Sequence, residues 1–347
     1  MATTRFASVT GGYTNIGDAV IRRAAYEWIS ADEGVVVYAR DAPDVWDSQL
    51  GLSEGDEVFR EGRARWLKAV IRAERPRVVF EPGEILLDRR AIPREIAFAV
   101  AAVIARLRGG AVVLPPRAIV GNSRASLAAH RLHCRFASRV YWRDQVSFRK
   151  IGVGTVVPDI AFGCDIRDGL PWDDRETLVV SLRGDRPSPS AAWFTAVDAW
   201  SKSNGLRVVT VAQVVEDEDR AMSIANQLGA VHYRWTDTPD VHEERVRELY
   251  GSARMVISDR LHVLVLASLG GAVPTEMVTG PRQKVRSHFA QIGLEGISLD
   301  LSETSTAEAT EFLSAQLLRR SEVRARVREA HDEIRDLKTS VERLFVA

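Results

Sequence analysis

With 347 residues and 46% apolar content, the chain is long enough for two domains with real cores, which argues against a single small module. Acidic and basic residues balance at 47 each, so no overall field holds the protein on nucleic acid or on an anionic membrane, and any bound anion must be met by a local cluster. Lysine is confined to Lys68, Lys150, Lys202, Lys284 and Lys338; the other 42 basic residues are arginines, a bias that genome base composition explains without invoking phosphate binding.

In chain order, short β-branched runs alternate with longer amphipathic segments. Strands are predicted at 5–10, 35–39, 77–80, 111–114 and 139–142, and helices at 18–30, 62–74, 93–108 and 123–136. That alternation implies parallel strands joined by crossover helices, hence a doubly wound sheet. The polar, Gly/Pro-containing stretch at 165–175 is the best linker. A second series follows, with strands at 178–182, 208–212, 230–233 and 255–258 and helices at 190–202, 217–228, 239–250, 264–269 and 306–318. Boundaries are therefore expected at 1–168, 169–320 and 321–347. The last segment places Val323, Val327, Ala330, Ile334, Leu337, Val341 and Leu344 on one stripe of a long helix, which either packs back on a domain or forms a dimer seam. Cys134 and Cys164 make neither a disulfide framework nor a zinc site, no leader pattern precedes Thr10, and the longest apolar run, 96–107, is too short to span a bilayer. A cytoplasmic protein is expected.

Chemistry concentrates at predicted strand ends. Gly11-Gly12-Tyr13-Thr14-Asn15-Ile16-Gly17-Asp18 follows the first strand: its glycines allow close backbone approach, and Asn15 or Asp18 can cap the helix. It lacks dinucleotide-site spacing and the P-loop lysine, so a structural turn and a ligand loop both remain open. Arg143-Asp144, at another strand end, reads as a salt-bridged helix start with an Asp cap or as part of a site. Arg183-Gly184 closes the first strand of the second half, where a forked guanidinium suits a phosphate or carboxylate. Most informative is Met255-Val256-Ile257-Ser258-Asp259-Arg260-Leu261-His262 running into an apolar helix, a fixed cation and an imidazole where open α/β sheets bind ligands and free backbone N–H groups favour anions. His130, His133 and Cys134 fall at helical spacing but lack a fourth ligand, so no metal is expected. Glu216-Asp217-Glu218-Asp219 reads as an acidic helix start, and Trp193 and Trp200 as a core-facing helix side.

Taken in order, Gly12-Tyr13-Thr14-Asn15-Ile16-Gly17-Asp18, Arg143-Asp144 with Ser147, Pro158-Asp159-Ile160-Ala161-Phe162, Ser181-Leu182-Arg183, Arg260-Leu261-His262 with Gly271-Ala272-Val273-Pro274, and Lys284-Val285 resemble the polysaccharide pyruvyl transferase family over about residues 8–295. The resemblance implies an α/β fold of two Rossmann-like domains facing across a cleft, type-B glycosyltransferase-like. It implies phosphoenolpyruvate as co-substrate with no cofactor required, and a sugar or lipid-linked oligosaccharide acceptor that receives pyruvate as a ketal across two hydroxyls. Under that reading Arg183 and Arg260 bind the donor and His262 transfers the proton, histidine being the side-chain type that can act as acid or base near neutrality. Asp18 is a second catalytic candidate, and the loop with Gly12, Tyr13, Asn15 and Gly17 faces the acceptor from the other half, with Arg143 and Asp144. The chain departs from the family at Phe80-Glu81-Pro82-Gly83-Glu84, where a run of glycines is usual; Glu84 then belongs to an altered acceptor pocket or marks a subgroup with different chemistry. Cell-envelope or exopolysaccharide synthesis, peripheral association with the inner face of the membrane, a homodimer and no nucleic-acid partner complete the expectation. A nucleotide-sugar glycosyltransferase and a non-catalytic envelope-assembly protein on the same fold are the rival readings.

Overall fold

Two parallel sheets organise the chain in the computed structural model, which describes residues 4–30, 34–167, 169–235, 238–281 and 283–346. Asp168, within the expected linker, lies outside the described residues. The chain divides into two units: Met1–Tyr13, Asp18–Gly163 and Asp332–Ala347 make the first, Thr14–Gly17 and Cys164–His331 the second. Segment 165–175 thus belongs to the second unit, and the short piece Thr14–Gly17 is separated from the unit that holds its neighbours in sequence.

The first unit is built on β1 (Arg5–Ser8), β2 (Val35–Tyr38), β3 (Glu57–Phe59), β4 (Arg77–Val79), β5 (Gly83–Leu86), β6 (Ala111–Val120), β7 (Arg139–Trp142) and β8 (Thr155–Val156). Its order is β3-β2-β1-β4-β6-β7-β8, with β5 also paired to β6. The fourth predicted strand stops at residue 114, just before Pro115-Pro116, which cannot donate to a ladder. The strand instead continues to Val120 through a register shift between Leu114 and Arg117, where those prolines are accommodated. The prolonged β6 takes β4 along Ala111–Val113 and β5 along Arg117–Val120. Phe80-Glu81-Pro82 is therefore a break between two strands that share one neighbour. Gly83, at φ +91°, reopens the pairing in a conformation that side chains other than glycine rarely adopt.

The second unit contains β9 (Thr177–Ser181), β10 (Arg207–Val211), β11 (Val231–Tyr233), β12 (Ala253–Ser258), β13 (Val273–Val278) and β14 (Ser298–Asp300), all parallel in the order β11-β10-β9-β12-β13-β14. This is the doubly wound Rossmann order, whose connections change direction beside the first strand, between β9 and β12. In the first sheet the equivalent reversal lies between β1 and β4. Each sheet has its own core. Phe6, Trp66, Phe80, Phe98 and Trp142 anchor the first, and Leu178, Trp193, Trp200, Met255 and Leu313 the second. Trp193 and Trp200 thus lie where the helix-face reading put them.

The long terminal helix, Arg320–Val346, buries Val323, Val327, Ala330, Ile334 and Val341 within the one chain. Through His331 its residues belong to the second unit and from Asp332 to the first. No helix among the described residues is long and apolar enough to cross a membrane.

Candidate functional site

At the reversal point of the second sheet, β9 and β12 deliver Arg183 and Arg260 from adjacent carboxyl ends. The two ends are tied together. The Ser258 hydroxyl donates to the Ser181 carbonyl, and the Arg183 N–H donates to Asp259 Oδ1 at 3.0 Å. Arg260 caps the helix Leu261–Leu269 with its backbone, which puts His262 in the first turn, three residues earlier than the pattern reading began the helix. The apolar run had hidden that turn, because Asp259-Arg260-Leu261-His262 reads as loop.

Both arginines are engaged. Arg260 holds Asp217 through two N–H groups, Nη2 at 2.7 Å from Oδ1 and Nε on Oδ2, with side chains only 14% and 2% exposed. Asp217 also accepts the Gly184 N–H at 2.8 Å, so one member of the acidic run 216–219 joins two strand ends to the turn after β10 instead of merely starting a helix. Arg183 pairs with Asp185 at 2.8 and 2.6 Å, a contact whose carboxylate is more than half exposed. Those hydrogen bonds, ahead of burial in the opposite sense, raise the Arg183 pKa. Arg186 approaches Asp259 at 3.4 Å. Burial pushes the Asp259 carboxyl above the usual range, against the pull of the Arg183 N–H and of Arg186 and Arg260. Three guanidinium groups thus face three carboxylates. Among these pairs only Arg183–Asp185 has an exposed carboxylate. A cavity of about 30 Å³ lies beside Arg183, Arg186, Asp259 and Thr279.

The segment Thr14–Gly17 is laid onto the same edge. Asn15 bridges antiparallel to Val214, the Ile16 N–H donates to Gln213 O at 3.2 Å, and the Thr14 hydroxyl donates to Glu216 at 2.9 Å. The Asn15 side chain accepts the Gly17 N–H at 2.9 Å. A Cβ at Gly17 would stand 2.6 Å from His262 Nδ1, so glycine is what lets the backbone lie against the imidazole. The sequence assigned Asn15 and Gly17 to the other half, facing the acceptor. The structure groups them with His262, because the bridge to Val214 and the bond to Gln213 draw this piece into the second unit.

Gly12, Tyr13 and Asp18 remain with the first unit. Asp18 Oδ2 accepts the Gly12 N–H at 2.9 Å and its other oxygen pairs with Arg22 at 3.0 Å. Tyr13 donates to Ala39 O at 3.0 Å and sets its ring edge-on to Trp46. Arg143 pairs with Asp159 at 2.6 Å, both at most 1% exposed, and reaches Glu84 on β5 at 3.8 Å. Asp144 is the helix cap, accepting the Ser147 N–H at 2.6 Å and its hydroxyl at 2.8 Å. The adjacent Arg143-Asp144 is therefore not a pair; each residue has its own partner.

Sequence reasoning missed Asp217, Asp259, Arg186 and Gln213. Asp217 and Asp259 sit in quoted motifs but carry no signal until the strand ends are brought together. Gln213 is 1% exposed, and its amide atoms have no hydrogen-bond partner among the described residues. Glu95 was also missed. It lies 2.6 Å from His130 Nδ1 and 3.8 Å from His133 Nδ1, and all three are buried. Its carboxylate is already paired with Arg94 at 2.8 Å.

A family model described as polysaccharide pyruvyl transferase matches residues 15–272, most of the chain. Among curated proteins none matches the sequence. Similar solved structures include UDP-GlcNAc 2-epimerase from Neisseria meningitidis bound to UDP-GlcNAc, at 10% identity and TM-score 0.59, covering 99% of this chain and 100% of that one. Alr3699/HepE from Anabaena in complex with UDP-glucose has 15% identity and TM-score 0.56, covering 97% and 99%. MurG of Acinetobacter baumannii has 12% identity and TM-score 0.50, covering 99% and 100%. At such identities the likeness is one of fold, two Rossmann-like units of the type-B glycosyltransferase class.

Proposed function

The chain belongs to the polysaccharide pyruvyl transferase family, and from that premise we propose that it moves the enolpyruvyl group of phosphoenolpyruvate onto two hydroxyls of a sugar in an envelope or exopolysaccharide glycan. As a family member it is a transferase of polysaccharide biosynthesis; donor, ketal and acceptor are the proposal. The observation that carries it is the meeting, at one sheet reversal, of Arg183 with a displaceable partner and a helix N-terminus bearing His262. A doubly charged phosphate and a carboxylate suit a guanidinium exchanged from Asp185 and the positive end of the helix dipole.

His262 supplies a proton to the methylene carbon of the donor, and the first sugar hydroxyl adds to the carbon bearing the phosphate and gives up its own proton. Phosphate leaves with the C–O electron pair, the second hydroxyl adds to the resulting oxocarbenium carbon, and its proton is released. Two C–O bonds and one C–H bond form; the C=C π bond, the C–O bond to phosphate and two sugar O–H bonds break. Of the two hydroxyl protons one restores His262 and the other leaves with phosphate, so the step involves no oxidation or reduction. A group able both to give and to take a proton near neutrality fits the sequence. Arg260, held by buried Asp217, keeps the β12 end and the turn after β10 in place. Asp18 and Glu84, each partly exposed in the first unit, are assigned to the acceptor, whereas Arg143 is buried against Asp159 at 3.8 Å from Glu84.

The test is release of inorganic phosphate from phosphoenolpyruvate across a panel of sugar acceptors, with Arg183→Ala and His262→Gln beside the wild type. Acceptor-dependent release is expected to be lost in His262→Gln and, at sub-saturating phosphoenolpyruvate, lowered in Arg183→Ala. Full release by His262→Gln would remove its role, and no release with any acceptor would remove the donor assignment. A nucleotide-sugar donor is the second reading, favoured by the UDP-bound neighbours of the same fold. Thermal stabilisation by UDP and not by phosphoenolpyruvate would select it.

A further inference from the structure

Although the chain as a whole is neutral, residues 86–143 contain eleven arginines and two acids, Asp88 and Glu95. Neither acid answers the surface charge. Asp88 caps the short turn after β5, accepting the Ala91 N–H at 3.1 Å, and Glu95 is buried between Arg94 and His130. Arg89, Arg90, Arg106, Arg108, Arg124 and Arg135 are exposed, and among the described residues none of them is paired with a carboxylate. Arg106 and Arg108 reach only a hydroxyl and a carbonyl.

The same elements that carry these arginines also expose apolar side chains. The helix Ile92–Leu107 buries Phe98, Ala101, Ala102 and Ala105, as a core helix should, yet its outer side carries Ile96, Val100 and Leu107 at 50, 45 and 81% exposure. Their spacing of four and seven places them on one stripe. The helix Arg124–Phe136, packed alongside, adds Leu132 and Phe136 at 46 and 38%. A surface helix of a globular protein is expected to be polar on this side. An exposed apolar stripe on helices whose exposed charges are of one sign marks a surface that something covers.

We propose that the outer face of these two helices docks on an anionic phospholipid bilayer. Charge complementarity chooses the occupant: unpaired arginines meet lipid phosphates, while Ile96, Val100, Leu107, Leu132 and Phe136 enter the headgroup boundary. Nucleic acid would use the arginines but gain nothing from the aliphatic stripe. The inference deepens the pyruvyl transfer reading by making the acceptor a lipid-carried glycan. It is measured without turnover, so the two can fail separately.

The experiment is flotation of the full-length protein with vesicles of phosphatidylcholine alone or mixed with phosphatidylglycerol, at low and high salt. Binding to the anionic vesicles only, weakened by salt, is expected. Arg89→Glu with Arg90→Glu should lower it by roughly thirtyfold. Ile96→Ser with Leu132→Ser should lower it by roughly tenfold, with circular dichroism and thermal midpoint unchanged in both double variants. Equal binding to both vesicle types, no binding to either, or anionic binding indifferent to the Ile96 and Leu132 substitutions would overturn the proposal. A dimer in sedimentation that those two substitutions dissolve, without vesicle binding, would assign the face to a second copy of the chain instead.

Discussion

Arg183 and Arg260 look equivalent in sequence, each closing a strand, but their partners separate them. Asp217 is 2% exposed and bonded twice to Arg260, so Arg260→Ala leaves a buried carboxylate without its cation. A loss of about 3–5 kcal/mol in chemical denaturation is expected, because an uncompensated buried charge costs far more than the pair contributes. Asp185 is 58% exposed, so Arg183→Ala should change stability by less than about 1 kcal/mol. Under the proposed donor assignment, KM for phosphoenolpyruvate should rise roughly tenfold or more, the worth of charge-assisted hydrogen bonds. Equal destabilisation by the two variants would contradict this division. Gly17 makes a sharper case. Its added Cβ would meet His262 Nδ1 at 2.6 Å, so Gly17→Ala must push the imidazole or the loop aside. A fall in kcat of about a hundredfold with little change in KM is expected, since displacement of a reacting group by an ångström has that scale. Normal kcat in this variant would mean that His262 does not act in the chemistry.

At the scale of elements, the buried group on the helices Ile92–Leu107 and Arg124–Phe136 has a consequence in pH. Burial holds the His133 pKa down at about 4, with Glu95 opposing and His130 and Arg117 assisting. Because the folded-state value lies below the unfolded value of about 6.5, the unfolded chain binds the extra proton between the two. Stability is then fully present above pH 6.5 and falls as pH drops from 6.5 towards 4, by about 3 kcal/mol across the window. The Glu95 pKa is also depressed, by its bonds to His130 and His133 against burial, so its loss comes lower, below the ordinary carboxylate range. Urea midpoints at pH 7 and 5 should differ in the wild type and much less in His133→Leu; an equal difference in both would place the titration elsewhere. The same helices show what the sequence made legible. Hydrophobic periodicity located both within a residue or two, since a core face of Phe98, Ala101 and Ala105 writes itself at helical spacing. It could not see β3, β5, β13 or β14, whose short runs are Glu57–Phe59, Gly83–Leu86, Val273–Val278 and Ser298–Asp300, because few residues and interrupting polar or proline positions leave no period to read. The arginine and histidine positions were visible as types at strand ends. Asp217 and Asp259, their acidic counterparts, were not, because pairing across 43 and 76 residues has no local signature.

For the whole molecule, the terminal helix is the element that bears on both units. Val323, Val327 and Ala330 are buried in residues belonging to the second unit, Ile334, Val341 and Phe345 in residues belonging to the first. On the first unit the fit is close. A Cβ at Gly163 would stand 2.3 Å from Ile334, and Arg77 donates to the Phe345 carbonyl at 3.1 Å. On the second, Val323 and Val327 share a cavity of about 250 Å³ with Leu269 and Val273. The stripe that a sequence reader might give to a dimer seam is thus largely spent on the chain's own cores. Two cores of this size need not melt together, since chains with more than one unit commonly depart from a single cooperative transition. Val341→Asp puts a charge into a site with no exposure in the first unit, and Val327→Asp does the same at 3% exposure in the second. Each should cost about 3 kcal/mol or more in its own unit. Calorimetry should then resolve two transitions, one lowered by Val341→Asp and the other by Val327→Asp. If either substitution lowers a single shared transition by the same amount, the helix couples the units into one cooperative block, and the division of the chain is one of topology without independent stability.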